Sequence, residues 1–183
     1  MFDKNTCEKL LSVYYNLENT EISWNIRSSF QLIEPMHSDK DAPINNGWVH
    51  QDYNNILAAI CYLNPNPDPD SGTSFFLPKE KVTEMWKHDI MQECSLRFDA
   101  FSSFGKTYNV EEYNKTFTKH RSKFNEVVQV KNVYNRLIVF DANYWHAQNS
   151  LICNNEPRLT QVFFANSIET TAKSPYERIG NIL

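Results

Sequence analysis

Residues 48–52 read Trp48-Val49-His50-Gln51-Asp52, between a polar stretch holding Pro43 and Asn45-Asn46-Gly47 and the apolar run 56–63. That setting predicts a short extended segment. In a strand, side chains two positions apart share a face. His50 and Asp52 therefore aim an imidazole and a carboxylate at one point with ordinary backbone geometry. A lone pair at this spacing arises often by chance, so its meaning depends on what else the chain brings to it.

Outward from this stretch the chain reads as short strands. Residues 24–33 alternate apolar and polar side chains, which predicts a strand that Pro35 ends. The run 56–63 is apolar throughout and suits a strand buried on both faces. Pro65, Pro67 and Pro69 follow, and forbid both a helix and a central strand there. Gly72 then leads into a short strand at 73–77. Further strands are expected at 127–130, 137–140, 144–147 and 159–164. Helices are expected at 6–17, where Thr6 is a natural N-cap, and at 82–91 and 110–124. With only four glycines, turns must rest on Asn, Asp and Pro. These elements predict one mainly β domain over 1–183, a jelly roll or related double-sheet barrel. It carries an N-terminal helix and a helical insertion at about 79–125.

Composition narrows the function. A hydrophobic fraction of 41 % and an aromatic fraction of 14 % belong to a folded chain rather than a disordered one. The net charge of -4, with no Lys/Arg block, argues against a nucleic-acid-binding surface. No run is apolar enough to serve as an export signal or membrane span, so a cytoplasmic protein is expected. Cys7, Cys61, Cys94 and Cys153 form no CxxC pair, which disfavours a zinc ribbon and predicts reduced thiols. His37, His88 and His120 sit among polar residues and read as surface side chains.

Two more residues give His50 and Asp52 their weight. His146 closes the segment Phe140-Asp141-Ala142-Asn143-Tyr144-Trp145-His146 at the end of an apolar strand pair. Alone it reads as a core histidine. With His50 and Asp52 it completes two imidazoles and one carboxylate, the facial set that holds iron(II) and leaves coordination positions open. Arg158 opens the strand Arg158-Leu159-Thr160-Gln161-Val162. A buried guanidinium needs a partner, and a carboxylate matches its fork. Thr160 shares that face and can donate to the same group. An internal Arg–carboxylate pair would serve Arg158 equally well.

In order and spacing, His50-x-Asp52, His146 and Arg158 resemble the 2-oxoglutarate/iron(II)-dependent oxygenase superfamily. The run Ala59-Ile60-Cys61-Tyr62-Leu63-Asn64, then Gly72 and Thr73-Ser74-Phe75-Phe76, is similar to its prolyl hydroxylase-like branch. Thr73 stands where many relatives carry a second glycine. The resemblance covers about 48–164, apart from the insertion. It implies a double-stranded β-helix, cupin-like, with the metal between two sheets. It implies iron(II) on His50, Asp52 and His146, and 2-oxoglutarate as co-substrate with Arg158, Tyr62 and Thr160 as its binding residues. Ascorbate would be an accessory reductant. The implied reaction hydroxylates an unactivated C–H of a peptidyl or small-molecule substrate and releases succinate and CO2. Phe164 stands where the nucleic-acid demethylase branch has a second arginine, which counts against nucleic acid as substrate. A cupin-like metal enzyme without 2-oxoglutarate and a non-catalytic jelly-roll binding module are the competing readings. Neither the substrate nor the oligomeric state is legible in the sequence.

Overall fold

The alternating stretch at 24–33 folds as an edge strand, β1 (Ser23–Ile33), paired antiparallel with β8 (Glu156–Glu169). The computed structural model describes residues 9, 11–12, 23–39, 41–102, 109–154, 156–170 and 172. The helix expected at 6–17 lies outside the described residues apart from Lys9, Leu11 and Ser12, and Cys7 lies outside them too.

The remaining elements follow the expected order. They are β2 (Leu57–Tyr62), β3 (Thr73–Pro78), α1 (Glu84–Ser102), α2 (Val110–Ser122), β4 (Phe124–Val130), β5 (Leu137–Asp141), β6 (Trp145–Gln148) and β7 (Ile152–Cys153). Two antiparallel sheets result. One runs β1-β8-β2-β5, with β7 added against β8; the other runs β4-β3-β6. The apolar run of β2 makes it an inner strand, between β8 and β5.

Turns do rest on asparagine. Asn54, Asn135 and Asn154 carry φ values of 64°, 60° and 48°, the left-handed region that Asn tolerates better than other residues with a Cβ. Asn109 caps α2 by accepting from the Glu112 amide at 3.0 Å. Acidic Glu111 and Glu112 lie in its first turn and basic Lys119, His120 and Arg121 in its last, matching the helix dipole.

Three apolar clusters hold the elements together. Leu57 and Ala165 pack with Leu11, Trp24 and Ile26. Val49, Phe76, Ile90, Phe124 and Trp145 bind α1 to the smaller sheet. Ile44, Trp48, Tyr113 and Phe117 bind α2 to the segment before His50. The alternation of β1 divides unexpectedly. Trp24 and Ile26 are covered, whereas Phe30 and Leu32 on the same face are exposed. Arg27 and Gln31, on the opposite face, are exposed as well and line a surface cleft. Among the described residues no helix is long and apolar enough to cross a membrane.

Candidate metal centre and its two cavities

Residues 48–52 do not form a regular strand. They make one isolated antiparallel bridge, His50 opposite His146. Each histidine amide donates to the other's carbonyl, at 3.0 and 2.9 Å. Beyond it the chain leaves β6, because the Asp52 amide donates to Ala142 and the Ile56 amide to Ala165. One bridge suffices to set the faces. Residues directly opposite in an antiparallel pair project the same way, so the two imidazoles lie with ring centroids 4.5 Å apart. Gly47 lets the segment approach this closely: a Cβ there would sit 2.6 Å from both Cγ and the carbonyl oxygen of Gln148.

Asp52 completes the group. Nε2 of His146 is 3.3 Å from its Oδ2, and Nε2 of His50 is 3.6 Å from its Oδ1. One donor atom from each of the three residues lies within 4.8 Å of the others, so the group could hold a metal ion. The imidazoles are prepared for it. Nδ1 of His50 lies 2.8 Å from the Trp48 carbonyl, and Nδ1 of His146 lies 2.8 Å from the Tyr144 carbonyl. A carbonyl only accepts, so each Nδ1 donates to it and each Nε2 is the atom left to face Asp52 and a metal. Two imidazole nitrogens and a carboxylate then converge on one point, a donor set for a cation. Burial tends to raise the Asp52 pKa, but the His146 hydrogen bond and the charges of His146 and His50 outweigh it and hold the carboxyl below its usual value.

An inner cavity of about 130 Å3 opens behind the triad, lined from both sheets. His50, Asp52 and His146 are on its wall together with Thr73, Gln148, Val162 and Arg158. Arg158 is buried. Its Nε donates to the Ser71 carbonyl at 2.9 Å, and its guanidinium lies 5.6 Å from the centre of the Tyr62 ring. Tyr62 and Thr160 are fully buried neighbours in register, set beside Arg158 rather than on the cavity wall. The Tyr62 hydroxyl donates to Thr73 Oγ1 at 2.8 Å. Burial raises its pKa, opposed in part by that bond and by the charges of Arg158 and Arg136, so Tyr62 stays neutral at physiological pH. Thr160 Oγ1 is buried without a hydrogen-bond partner among the described residues. Gly72 enforces the close packing here, since a Cβ would come 2.0 Å from the Val130 carbonyl oxygen.

A model described as Family of unknown function (DUF6445) matches residues 37–156, more than half of the chain. The chain belongs to that family. No curated protein and no solved structure matches it. The span shared with DUF6445 contains His50, Asp52 and His146 and ends before Arg158.

In this DUF6445 chain a second, wider cleft of about 580 Å3 lies outside the triad and shares His50, Asp52, Gln31 and Phe164 with the inner cavity. Ile90, Met91 and Cys94 of α1 form one of its walls. His37 lines a separate cleft with Glu34 and Glu156, and His88 is exposed.

His120 corrects the expectation of a surface side chain, because it is completely buried. It follows Tyr113 and Phe117 on the buried stripe of α2, a spacing that was visible in the sequence. Its Nδ1 lies 3.1 Å from Glu93 Oε2, and its Nε2 lies 3.0 Å from both the amide nitrogen and the carbonyl oxygen of Val49. Glu93 in turn is held by Lys123 at 2.7 Å. Both helices thus grip the backbone beside His50. Burial lowers the His120 pKa, helped by Lys123 and opposed by Glu93 and the Val49 backbone, down to about 4. The unfolded chain therefore binds the proton first as pH falls. The stabilisation is complete above pH 6.5 and is lost between 6.5 and 4, about 3 kcal/mol in all. Thermal melts should show a falling midpoint across that window in the native protein and a flatter profile in His120→Gln. Parallel profiles for the two would remove His120 from the acid response.

Proposed function

We propose that this protein is a non-haem iron(II)- and 2-oxoglutarate-dependent oxygenase that hydroxylates an unactivated C–H bond. The observation that carries this reading is the convergence of His50, Asp52 and His146, with both Nε2 atoms presented, at the head of a cavity that also holds Arg158. The donor set fits iron(II), because two imidazoles and one carboxylate leave positions for other ligands. The cavity fits a small acid rather than a drug-sized molecule, which needs about 300–1,000 Å3. Two antiparallel sheets contributing to one cavity favour the double-stranded β-helix.

His50, Asp52 and His146 would hold the metal, and Arg158 would take the far carboxylate of 2-oxoglutarate. When bound, iron(II) with 2-oxoglutarate supplies the oxidation, in which dioxygen and the oxo acid yield succinate, CO2 and a hydroxylated substrate. The chain's own share is positioning. The Trp48 and Tyr144 carbonyls orient the imidazoles. Tyr62 packs its ring against Arg158 and braces Thr73 on the cavity wall. The rings of Phe75 and Phe140 pack against the His146 ring and help to keep it in place.

A metal enzyme without 2-oxoglutarate is the second reading, and the bond from Arg158 Nε to Ser71 favours it, since that bond already gives the guanidinium a structural task. Succinate release separates the two. Iron-loaded protein incubated in air with 2-oxoglutarate should form succinate. Arg158→Gln should raise the 2-oxoglutarate concentration for half-maximal turnover by about tenfold or more, the worth of a charge-assisted pair. Metal binding without succinate formation or 2-oxoglutarate binding would favour the second reading.

A further inference from the structure

We infer that the outer cleft binds a small carboxylic acid with an apolar body, its carboxylate held by Arg27 and its body laid toward the metal centre. This rests on the proposed function for the metal, but its charge argument stands on the cleft itself. The volume of about 580 Å3 lies in the small-molecule range of ~300–1,000 Å3. Trp48, Ile90, Met91, Trp145 and Phe164 give it an apolar floor. Arg27 lies at its rim and carries no ion pair among the described residues.

The strand pairing puts Arg27 in the right place. Arg27 is directly opposite Phe164, and its neighbour Ile26 is opposite Ala165, whose carbonyl accepts from Ile56 just after the Asp52 turn. Arg27 therefore stands at the end of the cleft where the Asp52 segment crosses to the larger sheet. Arg27 is exposed on β1, and both it and Gln31 line the cleft, so the guanidinium is open to an incoming carboxylate. One arginine suits a monoanion. The nearby Lys87 is already paired with Glu84 at 2.9 Å, so the cleft lacks the clustered cations that a phosphate-rich ligand attracts.

The test uses zinc-loaded protein and the fluorescence of its tryptophans, two of which line the cleft. Octanoate and 4-phenylbutyrate are titrated beside octanamide and 4-phenylbutanamide. Each acid should bind at least about tenfold more tightly than its amide. Arg27→Gln should erase that preference and Arg27→Lys should keep part of it. Equal affinity for acid and amide, a preference that survives Arg27→Gln, or no saturable signal from any of the four would overturn the proposal. Failure of the metal reading looks different. There the native protein does not take up zinc, or Asp52→Ala takes it up equally well, whatever the ligands do.

Discussion

Asp52→Ala is expected to lose affinity for zinc and iron(II) by more than about 100-fold, since even the outer hydrogen-bond partners of metal ligands are worth about 10–100-fold. The reason is geometric. Asp52 is the one anionic donor in the group, and it lies between Nε2 of His50 and Nε2 of His146. Without it, only two imidazoles from paired chain segments remain. The fold should survive, because the Asp52 backbone bond to Ala142 is kept. The metal-free variant should melt only slightly below the metal-free native protein, since what it loses is the pairing of the carboxylate with His146 and His50. Calorimetric titration with zinc reads the first effect and a thermal melt reads the second. Unchanged zinc affinity would mean that the metal is held elsewhere. A collapsed melting point would mean that Asp52 serves the fold rather than a ligand.

Trp48→Ala is expected to cost about 3–5 kcal/mol, the usual loss when a large buried aromatic is truncated. Trp48 is 1 % exposed. Its ring meets Tyr113 and Phe117 edge-on at 5.6 and 5.4 Å and lies 4.8 Å from His120. Its Nε1 donates to the Tyr113 hydroxyl at 2.8 Å. At about 2–4 °C per kcal/mol for a chain of this size, the melting midpoint should fall by roughly 10 °C. Metal affinity should fall with it, because the Trp48 carbonyl orients His50 through Nδ1. Trp48→Phe keeps much of the packing and loses only the Nε1 bond, so its cost should be nearer about 1 kcal/mol. A midpoint unmoved by Trp48→Ala would show that α2 is not anchored through this ring.

Much of this was legible in the chain itself, for local reasons. The i, i+2 spacing of His50 and Asp52 puts both on one face of any extended backbone. The apolar run at β2 demands burial on both sides, and the prolines after it forbid regular structure. Asn in place of Gly at tight turns follows from a chain with few glycines. The metal-ligand chemistry of two histidines and an aspartate is likewise a property of the residues.

What tertiary structure decided are matters of partnership over long stretches of sequence. The bridge from His50 to His146 brings the triad together, and nothing near either residue announces it. His120 looked like a surface residue because its sequence neighbours are charged, yet α2 turns it onto the Val49 backbone. The alternation of β1 marked two faces but not which of them would meet the interior. Its pairing with β8 set Arg27 and Gln31 along a cleft and left Phe30 and Leu32 uncovered on the other face. Hydrophobic pattern measures what each residue prefers one at a time. Only the assembled sheets determine which side of a strand lines a cavity, because that depends on partners far away in the sequence.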